Sequence, residues 1–126
     1  MLDHLAQIFK NLPDIQLALV FGSVARATLR ADSDIDIAVL SKQPLCSLDK
    51  QRLIEQIALS TGRSVDLIDL ATVGQPLLGQ IIKDAKRIKG TDSQFAKLLV
   101  RNALDEADFM PYVSRLLQTR RAAWIG

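Results

Sequence analysis

Residues 21–40 read FGSVARATLRADSDIDIAVL. The apolar run Ile15 to Phe21, bounded by Pro13 and Gly22, has the profile of a strand buried on both faces. Ten residues after Ser23, the segment DIDIAVL opens a second strand, whose alternation places Asp34 and Asp36 on one face and Ile35, Ile37 and Val39 on the other. Between them, Gly22 lets the backbone approach a ligand closely. Ser23, with the amides of a short helical segment running through Arg26, offers donors to a triphosphate. The two carboxylates leave adjacent pleats in the same direction and can share hard cations, which in phosphoryl chemistry are usually Mg²⁺. Side by side on an otherwise apolar strand they repel each other, and that cost asks for a compensating cation or donor.

A third strand is expected at residues 64–70, SVDLIDL. Asp66 alternates with Ile68 and Leu70, whereas Asp69 shares the opposite face with Val65 and Leu67, so only one of the two can join the site. Asp66 lies mid-strand, within reach of Asp36, and is the candidate third carboxylate, able to bind the metal and accept a proton from an attacking hydroxyl. Asp69, near the strand end, reads as a loop or cap residue.

The rest of the chain supplies cover for this sheet. Leu2, Leu5, Ile8, Phe9 and Leu12 recur at helical spacing up to Pro13. A second helix carries Leu48, Leu53, Ile54, Ile57 and Ala58, with Ser47 as expected cap and Gly62 as terminator. Pro76 opens a helical stretch through Leu77, Leu78, Ile81, Ile82 and Ala85, expected to end near Gly90, with the basic residues from Lys83 to Lys89 on a solvated helix face. Ser93 is the expected cap of a long C-terminal helix, which Pro111 should kink or break before Val113. The fold class is therefore α/β (α+β): a small mixed sheet of three to four strands flanked by helices. Residues 1–90 form the core, and residues 91–126 form a C-terminal arm that packs on the core and is free to dock a partner through Phe109, Tyr112 and Trp124.

With 126 residues the chain is one domain, too short for a separate substrate-binding domain. A net charge of +2 is small for an electrostatic nucleic-acid binder, and no direct, sequence-specific nucleic-acid binding is expected. Cys46, the single cysteine, excludes an internal disulfide and the paired spacing of a zinc site. No apolar run approaches membrane-spanning length, the N-terminus lacks the pattern of a targeting segment, and the expected location is the cytoplasm. His4 reads as a solvent-facing residue.

The Gly-Ser, ten-residue, Asp-x-Asp arrangement followed by VDLIDL resembles the signature of the polymerase-β-like nucleotidyltransferases. The short length, the SVAR segment and the long C-terminal helix are similar to the minimal nucleotidyltransferases, antitoxins of the MntA type encoded beside a HEPN-domain toxin. That resemblance implies Gly22 and Ser23 at the triphosphate, Asp34 and Asp36 as ligands of two Mg²⁺ ions, Asp66 as third carboxylate, and Arg26 as a basic contact after the turn. Ala27 departs from the glycine common in relatives. The activity implied is transfer of AMP from ATP to a hydroxyl, a tyrosine of the HEPN ribonuclease toxin. Two alternatives are an antitoxin that neutralises its toxin by binding alone and a transferase acting on a small molecule.

Overall fold

A computed structural model describes residues 1–22 and 34–125, with side chains described through residue 119. The elements in chain order are α1 (Leu2–Lys10), β1 (Ile15–Phe21), β2 (Ile35–Ser41), α2 (Ser47–Thr61), β3 (Val65–Asp69), α3 (Leu77–Asp84), β4 (Lys86–Lys89) and α4 (Asp92–Ile125). The sheet order is β3-β2-β1-β4. β1 pairs antiparallel with both β2 and β4, and β2 pairs parallel with β3. The parallel pair needs a crossover, and α2 provides it. This is the expected small mixed sheet flanked by helices, with the long helix last.

Each face of the sheet has its own core, as the alternation requires. On one side Ala18, Val20, Ile35, Ile37 and Val39 pack with Leu5 and Phe9 of α1 and Leu53 and Ile57 of α2. On the other, Leu17, Leu19 and Ala38 pack with Leu78 and Ile81 of α3 and Leu98 of α4. A register shift between Ile15 and Leu17 lets β1 present both residues to opposite cores. Fully burying one such Leu, Ile or Phe side chain contributes about 1.5–3 kcal/mol, and these two layers fix where the strand ends lie.

Three expectations need correction. The stretch after Pro76 does not stay helical to Gly90: α3 ends at Asp84, and Lys86–Lys89 form the edge strand β4. Its pairing with β1 and the packing of Ile88 against the α1 side outweigh a local pattern that reads as helix. The helix caps are also displaced. Cys46, not Ser47, precedes α2, and its backbone N–H donates to Asp49 at 3.5 Å. At α4, Thr91 rather than Ser93 closes a reciprocal box: Gln94 N–H donates to the Thr91 hydroxyl at 3.1 Å, and Thr91 N–H donates to Gln94 Oε1 at 2.8 Å. Finally, of the expected kink or break at Pro111, the break does not occur: α4 continues through it. A proline deletes one N–H donor, and the good helix formers after it, Arg115, Leu116, Leu117 and Gln118, carry the helix onward. Gly62 ends α2 in the left-handed conformation as expected, at φ +69°.

Two side chains pin the helices to the sheet. Lys89 Nζ donates to the carbonyls of Phe9 (3.0 Å) and Leu12 (2.6 Å), tying β4 to the open carbonyl end of α1. Arg101 of α4 donates to the carbonyls of Leu70 and Val73 and pairs with Asp105 at 3.4 Å.

Candidate active site

The site lies where β1 ends and β2 begins. Phe21 is the register partner of Asp36 across the antiparallel pair, and Asp66 is its register partner across the parallel pair. Phe21, Asp36 and Asp66 thus form one row across three strands. Register partners on adjacent strands share a face, with the backbones only about 4.8 Å apart. Ala38, Leu40, Ile68 and Leu70, in phase with the two aspartates, all face the α3 and α4 side, which assigns the row to that face. Asp36 is half-buried and Asp66 exposed.

Gly22 completes the corner. Its φ is +70°, and a Cβ there would collide with the Asp36 carboxylate, whose Cγ would lie at 3.3 Å. Only a residue without a side chain lets the bend close over that carboxylate. Asp34 precedes the first residue of β2 and is exposed. Asp69 takes the other role: it is buried, and its Oδ1 accepts the Ala71 N–H at 2.9 Å, fixing the turn out of β3.

The structure therefore brings Gly22, Asp36 and Asp66 together, with Asp34 one residue upstream of the strand. Ser23 and Arg26 lie outside the described residues. Among the described residues, no three Asp, Glu, His or Cys side chains gather into a ready-made metal group. His4, as expected, is exposed, and its Nε2 bonds the Ser60 carbonyl at 2.9 Å.

Arg101 was not singled out in the sequence. By capping the Leu70 and Val73 carbonyls it anchors the chain just beyond the strand that carries Asp66. Its only sequence signal is its place among the apolar positions of α4. The Leu70 N–H, bonded to the Val39 carbonyl at 2.8 Å, locks that end to β2.

A mixed sheet with a glycine bend closing on an aspartate, and a second aspartate beside it on a parallel strand, is the core of a nucleotidyl-transfer fold. Residues 3–94 match the family described as Polymerase beta, Nucleotidyltransferase, and the chain belongs to that family. It is similar to Protein adenylyltransferase MntA of Shewanella oneidensis, 36% identical over 81 residues, covering 64% of this chain. In that match the chain spans 58% of the relative's length. It is also similar to solved structures over nearly its whole length. One is a toxin–antitoxin crystal structure with AMP-PNP (TM-score 0.72, 28% identity, 98% of this chain and 94% of that chain). Another is a tri-AMPylated Shewanella oneidensis HEPN toxin in complex with an MNT antitoxin (TM-score 0.67, 28% identity, 99% and 96%).

Proposed function

We propose that this protein is a Mg²⁺-dependent adenylyltransferase that moves AMP from ATP onto a tyrosine hydroxyl of a partner HEPN ribonuclease toxin, acting as its antitoxin in the cytoplasm. The observation that carries this reading is the row in which Asp36 lies under Gly22 and beside Asp66. The AMP-PNP and AMPylated-toxin complexes among its structural relatives support the choice of nucleotide and acceptor. Among the described residues, no helix is long and apolar enough to cross a membrane.

The donor set suits Mg²⁺: hard carboxylate oxygens on neighbouring strands, with a glycine bend packed closely against one of them. Asp34 and Asp36 would hold two ions and Asp66 would share one of them. Bound there, Mg²⁺ supplies the positive charge that neutralises the phosphates. Gly22 and Ser23 receive the triphosphate through backbone and hydroxyl donors, and Arg26 adds a cation after the turn. Asp66, exposed on its strand, accepts the proton of the attacking hydroxyl. That oxygen bonds to the α-phosphorus, the bond to the bridging oxygen breaks, and pyrophosphate leaves. Residues 91–126 form the docking arm.

Labelled ATP, Mg²⁺ and the product of the neighbouring gene, incubated with the protein, should place label on the partner. Full-rate transfer by Asp36→Ala ends the assignment. A second reading, neutralisation by binding alone, draws on α4, where Leu104, Met110, Tyr112 and Leu117 are all more than half exposed. Protection of cells by a variant lacking both Asp34 and Asp36 carboxylates, equal to wild type, selects that reading. The small-molecule reading predicts labelling of a metabolite with no label on the partner.

A further inference from the structure

The sheet end opposite Gly22 carries a concave surface. β1 spans Ile15–Phe21 and rises about 3.3 Å per residue, so its start lies roughly 20 Å from the row of aspartates. Beside that start is a cavity of about 330 Å³, lined by Pro13, Ile15, Gln16, Lys42, Lys89 and Gln94 among others. This volume falls within the range of small-ligand pockets.

Its charge is unbalanced. Lys89 is held in place by the Phe9 and Leu12 carbonyls, which take two of its three N–H donors and leave one. The Lys42 side chain has no hydrogen bond or ion pair among the described residues. Thr91 and Gln94, on the rim, already bond each other. Burial and then the nearby Lys42 push the Lys89 ammonium below its ordinary range, and Asp14 opposes them. Lys42 and Lys89 are the charged residues of the lining, and no carboxylate is among the described residues that form it.

We propose that this cavity binds a small phosphate-bearing ligand between the ammonium groups of Lys42 and Lys89. A phosphate offers oxygens in several directions and can accept from two lysines approaching from different elements, Lys42 just after β2 and Lys89 on β4, which a planar carboxylate does less well. The ligand is small because a single lysine pair in a pocket is not the extended basic track that a nucleic-acid backbone requires.

The test follows the lysine side-chain methylene resonances by NMR while inorganic phosphate is added at constant ionic strength. Lys42 and Lys89 should shift saturably, and Lys89 should titrate at higher pH with phosphate present, because a bound anion favours the charged form. Lys42→Met, at an exposed position, should weaken binding about 10-fold, the loss expected for a charged hydrogen bond. Asp14→Asn should tighten it. Shifts that stay linear and no larger than those of exposed Lys50 overturn the proposal, as does saturation unchanged in Lys42→Met. Saturation by a single-stranded RNA oligomer but not by phosphate overturns it as well. None of these readouts depends on nucleotidyl transfer, so they stand apart from the active-site reading.

Discussion

Substituting alanine at two glycines separates backbone strain from the contact that builds the site. Gly22 and Gly62 have φ values of +70° and +69°, so Gly22→Ala and Gly62→Ala carry the same conformational penalty, about 1–2 kcal/mol. For a chain of this length, that lowers Tm by roughly 3–10 °C. The surroundings differ. A Cβ at Gly62 meets nothing within 4 Å, whereas at Gly22 it meets the Asp36 carboxylate. That carboxylate must swing away, and a displacement on the order of 1 Å in a positioned group can cost ~100-fold in rate. Thermal unfolding should show losses of similar size in the two variants. Label transfer from ATP to the partner should fall about 100-fold in Gly22→Ala and stay near wild type in Gly62→Ala. Equal rates in both variants would refute the argument that Asp36 is held in place by the missing side chain.

The pairing of Asp36 with Asp66 sets activity against stability. Asp66→Asn removes one of two like charges placed directly opposite, and should raise metal-free stability by about 0.2–1 kcal/mol while lowering transfer by ~100-fold or more; a loss of stability in calorimetry counts against the juxtaposition. Added Mg²⁺ should raise Tm in wild type and much less in Asp66→Asn. Lys89→Met removes the donors on Phe9 and Leu12 and should cost about 1.5–3 kcal/mol in urea unfolding. The lowered pKa of Lys89 means that, between it and 10.5, the unfolded chain binds more protons than the native one. This group's contribution to stability therefore rises with pH across that window, and the rise should be missing in Lys89→Met. Arg101→Ala should cost about 2–3 kcal/mol and speed hydrogen exchange at the Leu70 amide; unchanged protection there removes Arg101 from the anchoring of β3.

The parts legible in the sequence were those whose signal is local. The apolar run of β1 and the aspartate alternation of β2 need no knowledge of the neighbouring strands, and both elements form where the pattern puts them. Asp66 and Asp69 could be assigned different roles because a strand sends alternate side chains to opposite faces, and Asp69 does end in a turn contact. β4 was illegible for the opposite reason. KRIK is a strand only because β1 offers an unpaired edge, a partner some 70 residues earlier in the chain. The caps were missed by one or two positions because Ser47 and Ser93 sit beside Cys46 and Thr91, and the choice depends on which backbone leaves the helix first. Pro111 does not break the helix, because its ring removes one bond from a helix of 34 residues. Ser23 and Arg26 fall outside the described residues.

β3 is the outermost strand of the sheet, and its one paired edge faces β2. Beyond it, among the described residues, no further strand borders Asp66. Among the described residues Asp66 is exposed on that outer strand, open from the flank. If Asp66 accepts the proton as proposed above, its place on an outer strand suits a whole folded protein as acceptor as well as a free molecule.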